Sequence, residues 1–229
     1  MTGLKTVVDT IISPKEAFES IRETPTWGWA LLIAIILGAA GSYFTTPAVV
    51  HVMTTNPASI YGAQAATMTP DDMAKGAAIA AKFSSFGFIF VIFGIPIICL
   101  IASLIMLLFN ALGKGEGNFA RYFAAQSNIV VVTSIGALIN AVIVIARGVD
   151  SFSTMRDVQF AVPSLAMLAP GAGPKLVTFL GVFTPFSLWA TGLVILAMLV
   201  IGKVPKVQAW LTGAVLLLFP ALLAAAFAK

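Results

Sequence analysis

Residues 86–112 read FGFIFVIFGIPIICLIASLIMLLFNAL. The run holds no charged side chain. It is longer than the roughly 20 apolar residues that carry a helix across a hydrocarbon core about 30 Å thick. Its apolar residues are continuous rather than alternating, so it does not read as a barrel strand. Backbone groups in lipid must be paired within their own segment, which leaves an α-helix. Pro96 lies inside the run and is expected to kink it, as Pro220 is near the other end of the chain.

Outward from this stretch, charges punctuate the sequence. None falls between Glu23 and Asp71, Lys82 and Lys114, Arg121 and Arg147, Lys175 and Lys203, or Lys206 and Lys229. Each gap has room for a span. Of 229 residues, 59% are hydrophobic and 10% charged, against about 25% charged in soluble domains. So few charges cannot coat a globule in water. A soluble domain, a disordered tail and a fibrous repeat are excluded. The expected fold is an all-α integral membrane protein, a bundle of five transmembrane helices preceded by short amphipathic N-terminal helices. Residues 1–26 form the amphipathic segment and 27–229 the membrane domain. The spans fall at about 27–44, 86–112, 129–146, 179–201 and 209–227.

Two apolar or uncharged stretches are not counted. Residues 45–70 hold Pro47, Asn56, Pro57, Gln64 and many threonines, which is too polar for a span. Residues 158–174 are broken by Pro163, Pro170 and Pro174 and read as interfacial or re-entrant. Trp27 to Leu37 suits a retained span rather than a cleaved leader, because four acids precede it.

Lysine and arginine in short segments set orientation. Lys5, Lys15 and Arg22, then Lys114 and Arg121, then Lys203 and Lys206 fall on one side. This places the N-terminus in the cytoplasm and the C-terminus outside, in a multi-pass protein of the cell membrane. The basic balance then reflects cations beside anionic lipid, and no nucleic-acid partner is implied.

Outside the spans, Leu4, Val7, Val8, Ile11 and Ile12 recur at helical spacing. Ser13-Pro14-Lys15-Glu16 reads as a capping box opening a second helix that buries Ala17, Phe18 and Ile21. The pair is expected to lie in the membrane plane. Thr69-Pro70-Asp71-Asp72 is another helix start, leading through Lys82 into the second span.

Groups able to do chemistry are few. There is one histidine, His51, one cysteine, Cys99, and no carboxylate within a span. Zinc needs about three or four suitable ligands, so no metal or other cofactor is expected, nor any catalytic residue. Gly113-Lys114-Gly115-Glu116-Gly117 is Gly-rich and basic but lacks P-loop spacing. It reads as a turn whose Lys114, with Arg121, is a candidate contact for a lipid headgroup or partner. Asn110, Gln126, Asn128 and Asn140 are the candidate polar intramembrane cluster. Such residues either bond helices together or line a solute path. Ala34, Gly38 and Ser42 form a small-residue seam. Leu112-Gly113-Lys114 is echoed by Ile201-Gly202-Lys203.

The chain resembles the Yip domain family, the Ypt/Rab-interacting family of five-span membrane proteins. The resemblance rests on Ile12-Ser13-Pro14-Lys15-Glu16-Ala17-Phe18 followed by Glu23, Pro25 and Trp27. It rests also on Gly113-Lys114-Gly115 leading through Phe119 to Arg121, and on Phe186-Ser187-Leu188-Trp189-Ala190. It implies a cytoplasmic N-terminus, five helices and no enzymatic activity. Eukaryotic members associate with Rab-type GTPases and carry a longer cytoplasmic N-terminal region. The short segment here implies a bacterial-type member, in an inner membrane, and no functional residue carries over. The expected function is a non-enzymatic organising, adaptor or lipid-interacting role, with membrane lipids and an unidentified protein as partners. The competing reading is a small solute or ion transporter or channel using the amides of spans two and three.

Overall fold

The computed structural model describes residues 3–169 and 171–228, and every regular element among them is helical. Pro170 lies outside the described residues, as do Met1, Thr2 and Lys229. Two short helices, α1 (Gly3–Ile12) and α2 (Pro14–Glu23), precede α3 (Gly28–Thr55). A single turn, α4 (Ala58–Tyr61), leads to α5 (Pro70–Ser84), α6 (Gly87–Leu112) and α7 (Phe119–Arg147). Then come α8 (Met155–Gln159), α9 (Pro174–Gly181), α10 (Pro185–Val200) and α11 (Lys206–Phe227). Helices α3, α6, α7 and α11 are each long and apolar enough to cross a membrane. α9 and α10 meet that test together, bent by 56° at their junction. The protein is a multi-pass helical bundle with five spans when the bent pair counts as one.

Several boundaries differ from the sequence reading. The first span, α3, does not stop at Phe44 but runs on to Thr55, with Pro47 inside it. The threonines that made this stretch look polar fold their hydroxyls onto their own helix. Thr45 and Thr46 donate to the Gly41 and Ser42 carbonyls, and Thr54 and Thr55 to His51. Back-bonding of this kind hides the polar group. Ala48 and Val52 then pack with Val144, Phe152 and Val158. The third helix starts at Phe119 rather than Ile129, because Asn118 caps it by accepting from the Arg121 amide at 3.0 Å. The fourth span is broken at residues 182–184. There Thr184 and Ser187 cap α10 reciprocally. α5 and α6 are separated by a turn at Ser85 and Phe86.

α1 docks on the bundle through its more polar face. Thr6, Val7, Asp9 and Thr10 are buried against the bundle, and Leu4, Val8, Ile11 and Ile12 are exposed. In a membrane protein the exposed apolar stripe has lipid as its neighbour, so the polar face is the one left to pack on protein. In α2, Ala17, Phe18 and Ile21 are fully buried. Pro14 opens the helix, yet Ser13 makes no side-chain cap bond, so the expected capping box does not form.

α7 is the central post, buried on several sides by α3, α6 and α10. Its closest neighbour is α3, along Ala34, Gly38 and Gly41. A β-carbon on Gly41 would stand 2.9 Å from the Ala137 carbonyl carbon. Only glycine permits that approach of backbones, the small-residue device of helix packing in lipid. Gly41, rather than Ser42, continues the seam.

Candidate functional site

The polar candidates separate into a loop knot at one end of the bundle and individual ties along α7. Asn110, in the last turn of α6, serves the 113–117 loop. Its Oδ1 accepts from Tyr122 Oη at 2.7 Å and from the Gly117 amide at 3.0 Å. Its Nδ2 donates to the Gly115 and Gly117 carbonyls, each at 3.2 Å. One buried side chain thus satisfies four hydrogen bonds beneath a partly exposed turn.

The helix ends there in a left-handed residue. Lys114 has φ 52°, its amide donates to the Ala111 carbonyl, and the Gly115 amide to Asn110 at 2.8 Å. This is the Schellman pattern, with lysine where glycine is usual. The echo at 201–203 repeats the feature, since Lys203 has φ 50°. The two turns meet. The Glu116 amide donates to the Gly202 carbonyl at 2.7 Å, and a β-carbon on Gly202 would strike Tyr122 Oη.

Glu116 then gathers cations. Its carboxylate lies 3.0 Å from Lys203 and 2.9 Å from Arg22 of α2. The Lys203 hydrogen bond first, and Arg22 after it, hold that carboxyl below its ordinary value. Arg121 donates to the Glu116 carbonyl at 3.3 Å. Lys114 is exposed and forms no ion pair among the described residues. One acid therefore ties α2, the α6–α7 loop and the α10–α11 loop into a single basic face.

The other amides lie apart from this knot. Asn128 donates to the Thr26 carbonyl at 3.1 Å and to Ala124, holding the entry to α3 on α7. Asn140 bridges Val158 and Val162, donating to one carbonyl at 3.0 Å and accepting from one amide at 3.1 Å. It pins the 158–162 stretch onto the bundle. On the same helix Asn140 stands about 18 Å above Asn128. The Asn128 Oδ1 has no hydrogen-bond partner among the described residues, and Gln126 shares that state without a tie of its own. It is 9% exposed, and its Oε1 has no hydrogen-bond partner among the described residues. It lines a cavity of about 340 Å³ between α6, α7, α10 and α11. A second cavity of about 560 Å³ adjoins it and reaches Asn140. Among the described residues no three His, Cys, Asp or Glu side chains gather as metal ligands. Tyr122 escaped the sequence reading, and Glu116 and Gly202 entered it only as members of the two Gly-Lys turns. The only signal for them was the repeated Gly-Lys pair.

The extent of this architecture coincides with a known family. A model described as the Yip1 domain matches residues 8–228, nearly the whole chain. The chain belongs to the Yip1 domain family. Comparison with curated proteins and with solved structures finds no match. The Yip1 domain here begins within α1 and ends in α11, so it includes the five-span bundle and the Glu116 tie. It is a membrane protein of apolar helices. Residues 12–18 run from the end of α1 through Ser13 into the first turn of α2, and the Phe186–Ala190 stretch forms the first turns of α10.

Proposed function

We propose that this Yip1-domain chain is a non-enzymatic organising or adaptor protein of the membrane. Its N-terminal, basic end faces the cytoplasm and engages a protein partner or anionic lipid headgroups. The observation that carries this reading is the Glu116 tie, which makes α2 and two loops one rigid surface with Lys114 free at its edge. Rigid presentation lowers the ordering cost of binding. The reading is supported also by Asn110, Asn128 and Asn140, whose amides are engaged with protein backbone. A solute path would leave such groups facing water. The segment 1–26 belongs with this surface and 27–229 with the membrane. The resemblance to Rab-interacting proteins supports a protein partner as the first candidate.

A photo-crosslinking residue at position 114, in native membranes, tests this. Discrete adducts are expected, and Arg22→Glu should weaken them by loosening the surface. No adduct at 114, together with solute flux through proteoliposomes of the purified chain, would overturn the reading in favour of a transporter.

A further inference from the structure

We infer that the two adjoining cavities form an intramembrane site for a neutral lipid that carries a hydroxyl head on a hydrocarbon chain. The cavities share Ile98, Val130, Thr133 and Ser187 as walls, so they form one lateral recess. Their volumes of about 340 and 560 Å³ fall in the range of small-molecule sites, roughly 300–1,000 Å³. Along α7 the recess reaches from Gln126 to Asn140, about 21 Å. That exceeds half of a hydrocarbon core about 30 Å thick, the depth taken by one lipid tail. At its mouth Ile98, Ile101 and Phe219 are exposed. In helices that cross a membrane, exposed apolar side chains meet lipid, so a lipid is the molecule present to enter.

The chemistry of the lining selects the head. No charged residue lines either cavity, so a phosphate or carboxylate would be buried unpaired at high cost. Of the lining hydroxyls, those beside Gln126 are already used as donors. Thr133 donates to Val130, Ser187 to Val182 and Thr191 to Ser187. Beside them Gln126 Oε1 is a buried acceptor with no donor among the described residues. A buried carbonyl oxygen in that state is satisfied by an incoming O–H. A long-chain alcohol or a diacylglycerol has that group and no charge. The recess lies within the bundle, whereas the Glu116 surface lies at its end. The inference therefore does not depend on the organising role.

The test uses the full chain in nanodiscs and a diazirine-bearing hexadecanol, compared with its methyl ether. The two probes share a chain and differ in the O–H. The expected result is saturable labelling on α7, α10 and α11 around Gln126, about fivefold weaker with the ether. Gln126→Met, which keeps the side-chain volume, should reduce alcohol labelling to the ether level. Equal labelling by both probes, or label spread evenly over every lipid-facing helix, would overturn the site. The alcohol-to-ether ratio in the wild-type chain decides the matter even where the variant is poorly folded. Crosslinks at position 114 test the organising role separately.

Discussion

The Asn110 Oδ1 lies 2.7 Å from the Tyr122 hydroxyl, and both are buried beneath the loop that joins their helices. The contact joins the last turn of α6 to the first turn of α7. It makes the loop between them part of the packed structure rather than a free linker.

Asn110→Leu should be strongly destabilising. It leaves the Tyr122 hydroxyl, the Gly117 amide and two carbonyls without their partner, at about 1–3 kcal/mol for each buried group that water cannot reach. Tyr122→Phe removes one donor and should cost about 1 kcal/mol. Thermal melting in detergent compares them. The double variant should lose less than the sum, since the two share one bond. Additive losses would show that the contact is not coupled.

Gly202→Ala should lower the melting temperature and expose the 113–117 loop to protease. The added carbon meets Tyr122 Oη and would stand 2.8 Å from the Met198 carbonyl oxygen. Tyr122→Phe in the same chain should relieve the first clash and not the second, so rescue should be partial. Full stability of Gly202→Ala alone would refute the close packing of the two turns.

The Glu116 tie should depend on pH with a definite sign. Its carboxyl is held below the ordinary value in the folded chain, by Lys203 first and Arg22 next. A lowered carboxyl stabilises the fold above its unfolded value, about 4.3. That contribution is lost as pH falls through the lowered value. The melting difference between wild type and Glu116→Gln should therefore be constant near neutrality and vanish on acidification. A difference that grows toward acid would contradict the ion-pair assignment. The pair is exposed, so high salt should also shrink it.

α1 offers a test of which face docks. Val7→Asp should release residues 3–12 from the bundle and open them to protease, because Val7 is buried beside α3. Val8→Asp should leave that docking intact and weaken contact with the lipid surface. A fluorophore on α1, read for quenching by membrane-embedded quenchers, separates the two outcomes. Equal effects would mean the helix has no fixed face.

Much of the architecture was legible because lipid imposes a simple rule. A long run without charge, such as 86–112, has one stable backbone solution in hydrocarbon. The boundaries were less legible. α3 runs through Pro47 to Thr55 because threonine hydroxyls find carbonyls on their own helix. Pattern reading scores a threonine as polar and does not see where its proton goes. Which face of α1 meets protein was not legible for a related reason. Periodicity identifies an apolar stripe but not whether protein or lipid covers it.

By itself the sequence determined the class, the number of spans and the family, since each rests on composition and order along the chain. It also showed two Gly-Lys pairs, at 113–114 and 202–203. Only the tertiary structure decided that these turns meet and that Asn110 and Tyr122 lie under the first. Only it placed Gln126 and Asn140 along one recess, away from Asn110. The reason is physical. Backbone pairing in lipid is local and can be read residue by residue. The partner of a buried amide is fixed by which helices approach within 3 Å, and that depends on every contact in the bundle.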